Sequence, residues 1–438
     1  MIKVEQLSSL SSPRRQAILK RSSDNLRENM DRTIEILAAL KKDPEKELAR
    51  EYGPAMKKAG GKFDLKRFLV SEAEFEQAVG QINSSLIDAL GLAYFNIYAF
   101  HKAQLGEAIS SAEFSEGLLA GRFVRPISKA GVYVPGGRAS YPSSALMNIV
   151  PAKAAGVKTI VVATPPGEDF CARPEILVAC RIANATQIFK LGGAWAIGCL
   201  AYGLGGLPKV DKIVGPGSSW VTAAKLAVFG EVDIDQPAGP SEGFIIADDS
   251  ADPTHLTWDF LSQLEHDPQA AAVLVTTSEK LAKEVARMVN QEVPQADRAD
   301  IIEKSLANAA ILTTPSLQEA FDFANEYAPE HLQVVVKRPM AHLGKIENAG
   351  SVFLGPWSPI PAGDYASGTN HVLPTGGSAR AFSGLSTDSF LKKTTFQQLT
   401  KKALKDISWT ITTLAQAEGL PAHAKTATVR LAEKPKKK

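Results

Sequence analysis

Short apolar runs separated by helix-length segments recur through most of this 438-residue chain, and that alternation constrains the fold more than any other feature. Residues 159–164, 187–190, 212–214, 244–247, 272–275, 310–312 and 332–336 read as buried strands. Segments 174–183, 194–202, 222–229, 253–265, 279–289 and 317–328 between them read as helices. Parallel strands need long crossover connections, and helices provide them. The expectation is an α/β protein with two Rossmann-like parallel-sheet domains, plus small helical N- and C-terminal modules. The standard dinucleotide fingerprint is missing. Both Gly215-Pro216-Gly217 and Gly203-Leu204-Gly205 lack the third glycine, although the amides of the first could cradle an anion where a helix opens.

Pattern changes suggest the divisions. Residues 1–27 read as an N-terminal helical segment, 28–132 and 241–385 as a main α/β domain, 133–240 as a second α/β domain, and 386–438 as a C-terminal module. Ser12-Pro13 can open a helix running to about residue 40, and Ser71 with Glu74 forms a capping box at the start of a second one. Its stripe of Phe75, Val79, Ile82, Leu86, Leu90 and Tyr94 is expected to face a core. Strands are expected at 123–127 and 131–137. Near the end, 396–414 reads as a helix and 427–431 as a strand. That last module has too little apolar surface for its own core.

Composition excludes some classes. A net charge of +2 gives no global field for nucleic acid. No apolar run is long enough to span a bilayer, and no secretion signal is visible, so the expected location is cytoplasmic. Cys171, Cys180 and Cys199 show no Cys-x-x-Cys spacing and suit a reducing compartment. The terminal lysines 434 and 436–438 read as a solvated tail.

Candidate chemistry lies in the second half. Gln263 and His266 stand three apart at the end of a predicted helix, on one face. Alone, this spacing is common among ordinary exposed side chains. Asp364 lies in a loop of small polar residues that ends at His371, which reads as a structural side chain or as a further ligand. His423 stands near the C-terminus. An amide oxygen, two imidazoles and a carboxylate can together fill most of a divalent metal's coordination sphere. Glu330-His331 follows Pro329 at a helix-to-strand junction. It is either an exposed polar turn or a pair of proton carriers. Ser241, in Pro237-Ala238-Gly239-Pro240-Ser241-Glu242-Gly243, caps a turn or donates to a substrate.

From about residue 120 to Arg430 the chain resembles the histidinol dehydrogenase family. The specific runs are Ser262-Gln263-Leu264-Glu265-His266, Tyr327-Ala328-Pro329-Glu330-His331-Leu332, the stretch from Gly363 through Asp364 to Thr375, and Glu418 with His423. The resemblance implies NAD-dependent, four-electron oxidation of L-histidinol to L-histidine through an enzyme-held aldehyde. It implies zinc held by Gln263, His266, Asp364 and His423, the last donated by the other subunit of a domain-swapped homodimer with shared active sites. Ser241, Gln263, His266, His331, Asp364, Glu418 and His423 match substrate-contact positions. His331 matches the base that takes the alcohol proton, and Glu330 the residue that activates water on the aldehyde. Tyr133 matches an NAD contact. At two further NAD-contact positions the family's usual Gln and Asn are replaced by Trp195 and Ser218. An alternative on the same scaffold is a zinc- and NAD-dependent dehydrogenase of another polar alcohol.

Overall fold

The computed structural model describes residues 1–21, 26–136, 140–236 and 239–432, with the side chains of 26–28 left aside. Gly137, Pro237, Ala238 and the lysine-rich tail therefore lie outside the described residues. The chain divides into two compact units. One comprises 1–104 and 127–390, the other 105–126 and 391–438.

Fourteen strands are described, in chain order: β1 (Val4–Gln6), β2 (Ile109–Ser115), β3 (Leu118–Pro126), β4 (Lys129–Tyr133), β5 (Thr159–Thr164), β6 (Gln187–Lys190), β7 (Lys212–Val214), β8 (Asp233–Ile234), β9 (Glu242–Ala247), β10 (Ala271–Thr276), β11 (Ala310–Thr313), β12 (His331–Val335), β13 (Ser351–Leu354) and β14 (Leu391–Leu399). The larger unit holds two all-parallel sheets, ordered β6-β5-β4-β7-β8 and β1-β11-β10-β9-β12-β13. In the five-stranded sheet β4 lies centrally, with β5 and β6 to one side and β7 and β8 to the other; in the six-stranded sheet β9 is placed the same way between β10-β11 and β12-β13, and the N-terminal β1 adds an edge strand beyond β11. This is the doubly wound order, with a switch point between β4 and β7 and another between β9 and β12. Helices cover both faces, so β9 and β10 are buried at every residue. Phe244, Ile246, Val273 and Val275 face one apolar cluster, while Ile245, Ala272 and Leu274 face another. Among the described residues no helix is long and apolar enough to cross a membrane.

Apart from β1, a strand within the segment expected to be helical, the first hundred residues are mainly helical, but more broken than their periodicity suggests. The first helix is Ser12–Lys20, capped by Ser11 rather than Ser12, and a separate helix spans Leu26–Lys42. The Ser71–Glu74 capping box is present, yet its helix stops at Gln81. Asn83 caps a new one, Ser84–Ala103. The predicted stripe is thus split, and Val79 is half exposed while Leu90 is buried. The helix Pro44–Lys58 is not among the expected elements, although Asp43 at its cap, Pro44 at its first position and Glu45 and Glu47 in its first turn are start signals.

The smaller unit contains the antiparallel sheet β14-β3-β2 and two helices, Lys401–Ala417 and Pro421–Leu431. Residues 396–399, expected in a helix, belong to β14, and the helix begins only after Thr400 accepts the Ala403 N–H. The expected strand 427–431 is helical. Ala424 and Ala427, three apart, are its buried residues, so the helical period wins over the alternation of Thr428 and Arg430 with apolar neighbours. The division drawn at 132/133 falls inside β4. The hairpin β2-β3, left by that division in 28–132, pairs instead with the C-terminal β14.

Candidate functional site

In the six-stranded sheet the candidate residues gather at the amino ends of β9 and β12, beside the switch point. Glu242 opens β9 and His331 opens β12, with His331 opposite Gly243 in the register. The helix Leu317–Tyr327 ends at Ala328, whose φ of 51° is left-handed. That conformation costs an alanine about 1–2 kcal/mol, and it turns the chain through Pro329 into the strand. The backbone there is fastened by the amides of Gly350, to Pro329 O, and Ser351, to Glu330 O, each at 2.9 Å.

His331 is 4 % exposed and Glu330 5 %. The His331 Nδ1 lies 3.2 Å from the carbonyl oxygen of Glu242 and 3.5 Å from Glu330 Oε2. Its Nε2 lies 3.5 Å from Asp364 Oδ1 and makes no hydrogen bond. A carbonyl can only accept, so that contact places a proton on Nδ1 and leaves Nε2 as the basic nitrogen of the neutral ring. Burial alone would lower the His331 pKa. The Glu330 carboxylate and the Asp364 contact outweigh it and raise the value well above 6.5. Burial raises Asp364 in turn, but His331, with His371 and His266 adding to it, holds its carboxyl below the usual value.

Asp364 lies in a short helix, Ile360–Tyr365, rather than in the expected loop. His371 is a support: its Nδ1 bonds to the Asp364 carbonyl at 3.1 Å and its Nε2 to Ser144 Oγ at 3.3 Å. Gln263 occupies the last turn of the helix Pro253–Leu264, and His266 follows just beyond it, exposed. The Gln263 side chain lies on Gly243, where a Cβ would come within 2.5 Å of its Cγ. It is 1 % exposed, yet neither amide atom has a hydrogen-bond partner among the described residues. Buried amides are ordinarily satisfied, so this one is built to meet something else. Ser241 precedes β9 directly and is partly exposed.

Glu418 and His423 belong to the smaller unit, at the end of one helix and the first turn of the next. Both are exposed. Among the described residues of this one chain, no three His, Cys, Asp or Glu side chains converge at metal-ligating distance.

The other named residues lie at carboxyl ends in the five-stranded sheet. Tyr133 ends β4 and its hydroxyl accepts the Gly193 N–H at 3.3 Å. Gly215 follows β7 with φ 121°, and a Cβ there would come within 2.1 Å of the Tyr133 carbonyl oxygen. Only glycine permits this close approach at the switch point. Buried beneath it, Asp235 accepts the Gly215 N–H at 2.7 Å and pairs with Lys225, which also donates to Gly215 O. Ser218 is exposed and caps the helix Ser219–Val228 by position only. Trp195 is anchored: its Nε1–H donates to Glu47 at 3.0 Å, and its ring meets Tyr52 edge-on.

Sequence reasoning missed Glu242 and Arg21. Burial pushes the Glu242 carboxyl up to about 7, with Arg21 pulling the other way. The available signal was a charged residue opening a wholly apolar run.

Residues 19–431 match the family model described as histidinol dehydrogenase. The chain is 45 % identical over 437 residues to the histidinol dehydrogenase of Methanosarcina barkeri (strain Fusaro / DSM 804), covering 100 % of both. It is 46 % identical over 428 residues to that of Methanococcus maripaludis, covering 98 % of this chain and 99 % of the relative. Its fold matches the crystal structure of histidinol dehydrogenase from Elizabethkingia anophelis with a TM-score of 0.91 at 36 % identity, covering 98 % of each chain. Likeness over this much of the chain, in sequence and fold alike, makes it a member of the histidinol dehydrogenase family.

Proposed function

We propose that this chain oxidises L-histidinol to L-histidine in two successive steps, with NAD as acceptor and zinc at the substrate site, in the cytoplasm and as a homodimer. The observation that carries this reading is the buried His331, flanked by Glu330 and Asp364 and aiming a free Nε2 away from its anchored Nδ1.

The residues fit a zinc ion. Gln263 offers an orphaned buried amide, Asp364 a carboxylate that ionises readily, and His266 an imidazole. These three and the partner subunit's His423 would hold the metal, which would bind the imidazole and amine of the substrate and so supply its orientation. Tyr133, Trp195 and Ser218 line the proposed cofactor end, where NAD supplies the acceptor for the hydride lost in each oxidation. Because Trp195 is tied to Glu47, its ring is held in one orientation.

This chain's own residues manage the protons. Neutral His331 takes the alcohol proton at Nε2, and the Glu242 carbonyl keeps Nδ1–H turned the other way. When the Asp364 carboxylate serves a cation, one of the two carboxylates that favour a proton on His331 is engaged elsewhere, which shifts the ring toward its neutral, basic form. Glu330 takes a proton from the water that adds to the aldehyde carbon. Each positioned acid or base contributes about 10²–10⁴-fold in rate. Ser241 and the partner subunit's Glu418 complete the grip on substrate.

Purified protein given L-histidinol and NAD should produce NADH and histidine, lose this activity on chelation and regain it with zinc. Turnover of a different polar alcohol, with none of histidinol, would instead favour the related dehydrogenase. Zinc binding with no turnover of any alcohol would make the chain a binding relative.

A further inference from the structure

We infer that Arg21 and Glu242 form a positioning device that holds the Glu330–His331 pair, an inference that rests on the proposed roles of those two residues. Glu242 takes no proton in the chemistry above, yet it frames both residues that do. Its backbone N–H donates to Glu330 Oε2 at 2.8 Å, and its carbonyl faces His331 Nδ1 at 3.2 Å. Its side-chain Oε1 accepts the backbone N–H of Glu330 at 3.3 Å and of Gly376 at 3.1 Å. A single residue thus fixes one carboxylate, one imidazole tautomer and the backbone between them.

A carboxylate this deeply buried needs a counter-charge. Arg21 provides it. Its Nε lies 2.7 Å from Glu242 Oε2, with the two side chains 5 % and 2 % exposed. The same guanidinium lies 3.6 Å over the Tyr327 ring and donates to the carbonyls of Tyr327 and Ala328. Those carbonyls end the helix that leads through Pro329 into Glu330. Arg21 therefore ties the approach to the dyad and its frame to one planar group. It does so from the end of the first helix, at a φ of 59° that a non-glycine residue adopts only when held there. Lysine, a point charge without the fork, cannot meet the carboxylate and both carbonyls together.

The test is Arg21→Met, with Arg21→Lys as the milder variant should the first not fold. Steady-state kinetics with L-histidinol should show kcat lowered about 10²-fold with KM little changed, because a displaced base costs rate rather than binding. Arg21→Lys should recover about tenfold of that loss by restoring the charge alone. Crystal structures of wild type and variant give a readout independent of turnover. In Arg21→Met, Glu330 Oε2 should move out of hydrogen-bond reach of the Glu242 N–H, beyond about 3.5 Å, and His331 should leave the Glu242 carbonyl. A folded Arg21→Met protein with wild-type kcat, or with both side chains undisplaced, overturns the inference. Failure of wild type itself to oxidise histidinol would refute the functional reading, and the crystallographic comparison would still decide the positioning claim.

Discussion

Replacing Gln263 with methionine should make the metal-depleted protein more stable and the zinc-loaded protein less so. The side chain is 1 % exposed and both amide atoms lack partners among the described residues. Burying an unpaired amide costs about 1–3 kcal/mol by the standard of protein substitutions. Methionine keeps the unbranched stem that lies on Gly243, leaves no cavity and removes the orphaned groups. For a chain of 438 residues the unfolding entropy is on the order of 0.9 kcal/mol per kelvin, so Tm in chelator should rise by about 1–3 °C. Zinc at a thousandfold excess over its Kd adds about 4.1 kcal/mol to wild type, or about 4–5 °C, and much less to the variant. Thermal unfolding of both proteins, in chelator and in zinc, should show the order of stability reversing. A variant that melts below wild type in chelator, or that gains the same zinc shift, would refute the idea that Gln263 is buried to serve a cation.

His331→Asn should lose oxidation of the alcohol, whereas Glu330→Gln should mainly slow oxidation of the aldehyde, each by about 10²–10⁴-fold; single-turnover assays with histidinol and histidinaldehyde separate them, and equal losses in both steps would contradict the division. Because the folded pKa of His331 is raised, its stabilising contribution is complete below about 6.5 and is lost as pH rises through the folded value. The gap in denaturation midpoint between metal-depleted wild type and His331→Gln should therefore shrink from pH 6 to pH 9, and a gap that widens would reverse the sign assigned here. If each site takes its last histidine from the other subunit, refolding a mixture of His331→Asn and His423→Ala chains should restore about a quarter of the sites; complete inactivity would place His423 with its own chain's site.

The sheets were legible because parallel strands buried on both faces leave unbroken apolar runs such as Gly243–Ala247. The Glu330-His331 junction was equally legible, since Pro329 stops the helix and the apolar run restarts at once. Gln263 and His266 share the end of a helix by spacing alone. What the sequence hid depends on long-range contacts. Nothing local links Arg21 to Glu242, 221 positions on, and only the fold brings the charges together. Asp364 read as loop because Gly363 and its small polar neighbours carry weak helix preference, and six residues are too few for a period to show. The helix Pro421–Leu431 was misread because its apolar and polar residues alternate locally, while burial of two alanines decides the outcome.

The most direct test of the proposed chemistry is the ratio of NADH formed to histidine formed from L-histidinol by the zinc-loaded enzyme. Two oxidations at one site predict about two NADH for each histidine, with no aldehyde accumulating in solution. One NADH per histidinol consumed, with free histidinaldehyde as the product, would contradict the account.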